Sequence, residues 1–289
     1  MKKRIVLDPV DVEQIIFKAL KEDASDQDIT TNFLIPEDKI SEAVIIVKEE
    51  SVLCGVDIAI KIFQKLDKKV KYRKFYKDSD FVSKATTIIS LKGKTRALLA
   101  GERTALNCIA YLSGVATNTN RFVKKVKPYN VVILGTRKTT PGLRKFEKYA
   151  VRCGGGVNHR INLQEMVLIK DNHRKVYEDF ITLPEAIERF KQTHKEPIAV
   201  EVDNLIQFKQ VLKNPPDIIM LDNMTLSQMR KAVKLRNETG HKKRPLLEAT
   251  GGVTLRNVRD IAKTGVDRIS IGSLTHTHKA IDVSMEIIG

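Results

Sequence analysis

The sequence predicts an α/β protein in which a mixed α+β first part gives way to an array of parallel strands and helices. From residue 131 onward, short apolar runs of β character recur: VVILGT (131–136), EMVLIKD (165–171), IAVEVDN (198–204), DIIMLDN (217–223), LLEATGG (246–252) and DRISIGS (267–273). Helical stretches at 183–192, 205–212, 226–237 and 254–264 separate most of them, and strict alternation of strand and helix is the signature of a parallel sheet. Before residue 131 the rhythm is different, with fewer strands and one very long helical stretch, so the two parts do not share one repeat.

Taken in order, residues 9–22 carry Val12, Ile15, Ile16, Ala19 and Leu20 at helical spacing. EAVIIVK (42–48) reads as a strand and VDIAIKIFQKL (56–66) as an amphipathic helix. Strand-like pieces near 70–77 and 86–93 follow, then helix from Thr95 to Val126, inside which the first part ends. In the second part each apolar run ends in a polar, charged or glycine residue. In a β/α barrel such ends share one face, where catalysis occurs, so Arg137, Lys170, Glu201, Asp203, Asp222, Gly251 and Gly272 are expected around one mouth. Six clear strands are fewer than eight, which leaves an incomplete barrel and a doubly wound open sheet as competing architectures.

Composition narrows the function. The 289 residues include 42% hydrophobic ones, enough for a sizeable core, and carry a formal net charge of +16, which favours anionic partners or simply a solvated basic surface. Basic clusters at Lys124–Lys127 and His241–Arg244 lack interleaved aromatics, so a stacking surface for single-stranded nucleic acid is not expected. No apolar run approaches bilayer-spanning length, and the basic start MKKRIVLDPVDVEQ turns acidic too early for a signal peptide. Three scattered cysteines, Cys54, Cys108 and Cys153, predict neither a disulfide framework nor a zinc site and fit a reducing cytoplasm.

The chemistry concentrates at the strand ends. Glu201 and Asp203 lie two apart and project to one side of their strand, and Asp222 ends the next; hard oxygen donors in a basic chain suit Mg²⁺, ribose hydroxyls or a developing cation. The competing structural role for Asp203 and Asp222 is to cap the helix that follows. Arg137 and Lys138 follow one strand, Lys170 ends another, and His159-Arg160 adds a further pair; guanidinium forks suit carboxylates and ammonium groups suit pyrophosphate. Gly154-Gly155-Gly156 and Gly251-Gly252 could bring backbone N–H groups against anionic oxygens, the second pair before a helix start at Thr254, although ordinary turns also use glycine pairs. There is no P-loop motif and no dinucleotide fingerprint. These residues alone reach a site for a small phosphorylated, carboxylated molecule, not a reaction.

The order and spacing of several fragments resemble one family. EDASDQDITT (22–31), GERTALNCIAYLSGVAT (101–117), TRKTTPGLRKFEKYAVRCGGGVNHR (136–160), LIKDNH (168–173), EVDNL (201–205), MLDN (220–223), EATGGVTLRNVRDIAKTGVD (248–267) and ISIGSLTH (269–276) are similar, in sequence and succession, to quinolinate phosphoribosyltransferases. The resemblance implies an N-terminal α/β sandwich domain (1–113) and an incomplete α/β barrel with a C-terminal helix (114–289), the type II phosphoribosyltransferase architecture. It implies conversion of quinolinate and phosphoribosyl pyrophosphate to nicotinate mononucleotide, pyrophosphate and carbon dioxide with Mg²⁺, in NAD biosynthesis, by a cytoplasmic homodimer whose sites lie at the subunit interface.

By position, Arg103, Arg137, His159, Arg160 and Lys170 resemble the quinolinate-binding cations, with Arg103 reaching in from the partner. Lys138 and Lys170 match the phosphate-facing lysines, and Glu201 and Asp222 the acidic pair near ribose and metal. Thr250, Gly251, Gly252 and Gly272 match phosphate-cradling loops, and Thr136 belongs to the same substrate-binding set. Lys138, Lys170, Glu201 and Asp222 are the expected catalytic residues. Two departures stand out: many members have Asp where this chain has Gly135, and Thr250 stands in place of the commoner Ser. The alternatives are a related phosphoribosyltransferase acting on nicotinate or another ring acid, a nucleic-acid-binding protein, and an inactive metabolite sensor.

Overall fold

A computed structural model of the chain describes residues 7–177, 182–240 and 244–288. Along the chain the elements are α1 (Pro9–Glu22), α2 (Ile29–Leu34), β1 (Ile40–Val47), β2 (Ser51–Val52), α3 (Val56–Leu66), β3 (Lys71–Lys74), β4 (Phe81–Val82), β5 (Thr86–Lys94), α4 (Thr95–Val126), β6 (Val132–Gly135), α5 (Arg144–Cys153), β7 (Val157–Asn158) and β8 (Val167–Ile169). They continue with α6 (Asp171–Tyr177), α7 (Leu183–Thr193), β9 (Ile198–Val202), α8 (Leu205–Lys213), β10 (Ile218–Asp222), α9 (Leu226–Glu238), β11 (Leu246–Thr250), α10 (Val258–Ala262), β12 (Arg268–Ile271), α11 (Ser273–His276) and β13 (Val283–Ile287). The basic cluster at His241–Arg244 falls largely outside the described residues.

The chain forms two compact units. The first contains the described residues up to Asn120, the segment Pro141–Gly155 and the segment from Thr277 on. Its four-stranded sheet has the order β13-β1-β5-β3, all antiparallel. β1 shows why: every second residue from Ser41 to Val47 is buried, the alternation of a strand with one face on a core. α1 opens with Asp8 accepting the Val10 N–H and Pro9 in the first turn, and buries Val12 and Ile16. α3 buries six residues of its apolar side. Its N-cap is Gly55, which has no side chain to offer, so Asp78 from the β3–β4 connection accepts the Val56 N–H at 3.0 Å instead. Replacing such a cap typically costs about 1 kcal/mol.

The expected C-terminal helix is not what the chain forms. Val283–Ile287 is a strand that pairs with β1 along its whole length, from Val47↔Val283 to Ala43↔Ile287. The free edge of β1 offers unpaired backbone groups, and a short segment containing Val283 and Ile287 satisfies them better as a strand than as an isolated helix. Gly154 also has a structural reason. A side chain there would collide with the Ala116 carbonyl of α4, so the glycine lets the end of α5 press against α4. Gly155, at φ +88°, terminates α5 in the left-handed conformation. Two of the three consecutive glycines are thus explained by helix packing and helix termination within this unit.

The second unit comprises Arg121–Thr140 and Gly156–His276. Its seven-stranded sheet has the order β7-β6-β12-β11-β10-β9-β8, and every pair is parallel. The first full strand, β6, pairs with the last, β12, as in a closing barrel, while β7 and β8, consecutive in the chain, are not paired with each other. The sheet is an incomplete barrel, with its gap between β7 and β8. All five residues of β9 are buried, as expected for a strand covered on both faces. Ala199, Ile218 and Met220 form one core cluster, packed by Met166, Leu168 and Leu246. Capping boxes at Thr182/Glu185 and Thr225/Gln228 start α7 and α9. The helix expected from Thr254 is shorter: α10 begins at Val258, because Thr254 and Asn257 bond each other's backbone N–H groups in a preceding turn.

Candidate active site at the strand ends

All strands of the second unit's sheet run the same way, so their C-terminal ends lie along one rim. Thr136, Arg137 and Lys138 follow β6; His159 and Arg160 follow β7; Lys170 follows β8. Glu201 sits near the end of β9, Asp222 and Thr250 end β10 and β11, Gly251 and Gly252 come next, and Gly272 follows β12. Arg103 belongs to the other unit, exposed on α4.

Acids and cations meet on the β8–β9–β10 side. Lys170 Nζ donates to Glu201 Oε2 at 2.9 Å, with Glu201 almost fully buried. Neither expected cap role holds: α8 is capped by Asn204, which accepts from Ile206 and Gln207, and α9 by Thr225. Asp203 instead accepts from Arg174 at 2.9 Å. Asp222 has one side-chain donor, Asn223 Nδ2 at 3.1 Å. Burial first, and then the nearby Asp203 charge, raise its carboxyl above the ordinary value; Lys170 and the Asn223 bond oppose this, and Asp171 adds a small further rise. Among the described residues, these acids do not form a set of three ligand atoms close enough to enclose a metal.

On the β6–β7 side, two guanidinium groups stand close enough that burial and the Arg137 charge together lower the pKa of Arg160. Nε of each is buried without a hydrogen-bond partner. Arg160 is anchored through its terminal nitrogen, which donates to the Met166 carbonyl at 3.0 Å. His159 Nδ1 accepts the Arg160 backbone N–H at 3.0 Å, so a neutral ring carries its proton on Nε2. That nitrogen faces Glu248 Oε1 at 3.6 Å.

Glu248 was not picked out from sequence. It is wholly buried in β11, where it accepts the Ser270 hydroxyl and pairs with Arg268 Nε at 3.0 Å. Burial raises its carboxyl, against the pull of Arg268 and Ser270. The signal was available: Glu248 is two residues before Thr250, hence on the same face of its strand. Arg174 and Asn223 were missed too, because both act through neighbours on the rim rather than through strand-end position.

Lys138 is held by its own backbone. Its N–H donates to Thr136 Oγ1 at 3.1 Å, and its carbonyl accepts the Thr275 hydroxyl at 2.5 Å. A side chain at Gly272 would come within 2.9 Å of Lys138 Cδ and 3.1 Å of His276 Nε2, so Gly272 makes room for both. At Gly251 the backbone has φ +82°, and any side chain would collide with the Asn223 amide. Asn223 itself lies at φ +52° and donates its N–H to the Thr250 carbonyl at 3.0 Å, which ties the β10 and β11 ends together. The rim therefore offers a cationic side, an acidic side and a glycine-lined stretch between them, the equipment for a substrate carrying both carboxylates and phosphates.

Known proteins match this chain over nearly its whole length. The family model for the N-terminal domain of quinolinate phosphoribosyl transferase matches residues 28–113, and that for the C-terminal domain matches 115–286. The chain is 40% identical to a probable carboxylating nicotinate-nucleotide pyrophosphorylase from Methanocaldococcus jannaschii, over 95% of this chain and 96% of that one. Its fold matches the nicotinate-nucleotide pyrophosphorylase structure from Francisella tularensis with a TM-score of 0.91 at 38% identity, covering 100% of both chains. The corresponding Ehrlichia chaffeensis structure matches with a TM-score of 0.87 at 41% identity, covering 96% of this chain and 98% of that one. The chain belongs to the quinolinate phosphoribosyltransferase family.

Proposed function

We infer that the chain transfers the phosphoribosyl group of phosphoribosyl pyrophosphate to quinolinate with loss of carbon dioxide, forming nicotinate mononucleotide and pyrophosphate for NAD biosynthesis. The observation that carries this reading is the Arg137–Arg160 pair. Two neighbouring guanidiniums, with buried Nε atoms lacking partners, are the complement of a dianionic pyridine dicarboxylate. Binding the dianion relieves their mutual repulsion. His159, with its proton on Nε2 and Glu248 behind it, completes that side.

In the first step the pyridine nitrogen of quinolinate bonds to C1′ of the ribose as the C1′–O bond breaks and pyrophosphate departs with the electron pair. Lys138 and Lys170 face the phosphates, while Glu201 and Asp222 stabilise the cationic ribose or hold its hydroxyls. Thr250, Gly251, Gly252 and Gly272 cradle the donor's phosphates, and Thr136 orients Lys138 through its hydroxyl. In the second step the bond from the ring to the adjacent carboxylate breaks. The bonding pair stays on that ring carbon, stabilised as an ylide by the adjacent pyridinium charge, carbon dioxide leaves, and a proton from solvent takes up the pair on carbon.

Magnesium brought with the donor supplies charge neutralisation for the departing pyrophosphate. The donor set fits such a hard ion: Glu201 and Asp222 are carboxylates, and Mg²⁺ commonly takes only one or two of these plus substrate phosphates. Burial, and then the negative charge of Asp203, raise Asp222, and a bound cation would offset both by favouring the ionised carboxylate.

The reading includes a homodimer in which exposed Arg103 completes the quinolinate site of the partner, and a reducing cytoplasmic setting, consistent with three free thiols. No described helix is long and apolar enough to cross a membrane. The test is product release from the purified chain. Carbon dioxide and pyrophosphate should appear in equal amounts, only when quinolinate, donor and Mg²⁺ are all present. Preferential use of nicotinate would transfer the chain to the related ring-acid reaction.

A further inference from the structure

Cys54, Asp78 and Cys153 come from three segments of the first unit that are far apart in sequence. Cys54 precedes α3, Asp78 lies in the β3–β4 connection, and Cys153 ends α5. Their two Sγ atoms and one carboxylate oxygen all lie within 4.8 Å of one another, the one such set of three metal-ligating groups among the described residues. Cys54 is fully buried and Cys153 nearly so.

We propose that this cluster is a binding site for a thiophilic divalent cation of the zinc class, separate in chemistry and residues from the Mg²⁺ of the proposed reaction. The donor set decides the class of ion. Two sulfurs and one carboxylate match zinc, cobalt(II) or similar ions, and magnesium avoids sulfur. Zinc bonds of about 2.3 Å to sulfur and 2.0–2.2 Å to oxygen put tetrahedral ligands roughly 3.3–3.8 Å apart, so small side-chain rotations close the set.

The ligands are already oriented by their neighbours. The Cys54 backbone is pinned on both sides by Ser113, whose Oγ accepts the Cys54 N–H at 2.9 Å and donates to its carbonyl at 3.1 Å. Tyr149 donates its hydroxyl to Asp78 Oδ2 at 2.9 Å, and the Val56 N–H fixes Oδ1. Partners of this second kind set the direction of a ligating oxygen. The two thiol sulfurs lie side by side, and a cation ligates them as thiolates, so binding releases thiol protons to solvent. Three protein ligands leave one position of a tetrahedral set for water.

Chelator-treated, reduced, full-length protein is titrated with cobalt(II). The expected result is a thiolate-to-cobalt charge-transfer band that saturates at one equivalent, is displaced by one equivalent of zinc, and is untouched by excess magnesium. Cys54→Ala and Cys153→Ala should each abolish the band, and Cys108→Ala should keep it. Tyr149→Phe leaves all three ligands in place and should weaken cobalt binding about 10–100-fold. If the cysteine variants do not fold, two wild-type readings remain: the band itself, and a rise in thermal midpoint on adding one equivalent of zinc. Absence of the band in reduced wild-type protein overturns the proposal. So does its persistence in folded Cys54→Ala, or a Cys54–Cys153 disulfide in freshly isolated, alkylated protein that takes up no cobalt after reduction.

Discussion

With the role proposed for it, Asp222 is a residue at which stability and catalysis pull in opposite directions. Its folded-state pKa is raised, chiefly by burial and then by Asp203, so the folded protein holds the Asp222 proton more tightly than the unfolded chain does. The contribution of this group to stability is therefore greatest at low pH and is lost as pH rises from the ordinary value of 3.8 through the folded value. Asp222→Asn removes the ionisation and can keep the bond from Asn223. Its thermal midpoint should exceed that of the parent at neutral pH, and the gap should close below about pH 3.8. In the same variant the rate should fall about 10²–10³-fold, the usual effect of deleting one preorganised electrostatic group. Pyrophosphate and carbon dioxide release should fall together, because in the proposed reaction the carboxylate acts before the ring loses its carboxyl group. Pyrophosphate release that stayed fast while carbon dioxide release dropped would move Asp222 to the second step. A midpoint that fell at neutral pH would mean that Lys170 attracts the carboxylate more strongly than burial and its acidic neighbours oppose it.

At the scale of the elements, the loop after β11 allows backbone strain to be separated from contact. Gly251 and Gly240 both have positive φ, +82° and +74°, but only at Gly251 would a side chain meet a neighbour, the Asn223 amide. Gly240→Ala should therefore cost only the left-handed strain, about 1–2 kcal/mol. Gly251→Ala should cost more in a denaturant melt, because Asn223 must leave the position from which it reaches Asp222. It should also raise KM for the ribosyl donor more than KM for quinolinate if this loop cradles phosphate. Equal melts for the two variants would show that Asn223 yields without cost.

The elements themselves were largely legible. α1, α3, α4 and the strands β6 and β8–β12 follow from apolar periodicity, which reports burial directly. β13 was not, since a five-residue strand is stabilised by the free edge of β1, a partner more than 200 residues away that local pattern does not contain. The structural reasons for the glycines at 154 and 155 were hidden likewise: anion contact and helix contact both call for glycine, and only the position of Ala116 against Gly154 and the left-handed backbone of Gly155 reveal the helix packing and termination they serve. Glu248, hidden between His159, Arg268 and Ser270, shows the complementary failure, in which a buried acid in a strand looks like an interruption until its partners are known.

For the molecule as a whole, the parallel array was readable because each strand end carries its chemistry in the same position along the repeat. Which residues another copy contributes is not written in any such repeat. Arg103 is exposed on α4, in the first unit, and its proposed role requires a second chain. That requirement has a distinctive consequence. Arg103→Ala and Glu201→Ala should each be nearly inactive alone, the first lacking the arginine every site borrows and the second lacking the acid every site owns. In a mixed dimer one site inherits both defects, while the other combines wild-type Glu201 with a wild-type Arg103 from its partner. Mixing the two inactive proteins should thus restore activity, up to about a quarter of the wild-type level if subunits redistribute at random, since half the dimers are mixed and each has one intact site. Subunit exchange is verified independently by native mass spectrometry of differently tagged chains. Mixed dimers that form and stay inactive would show that Arg103 serves its own chain or no site at all, and the quinolinate pocket would then have to be completed by Arg137 and Arg160 without it.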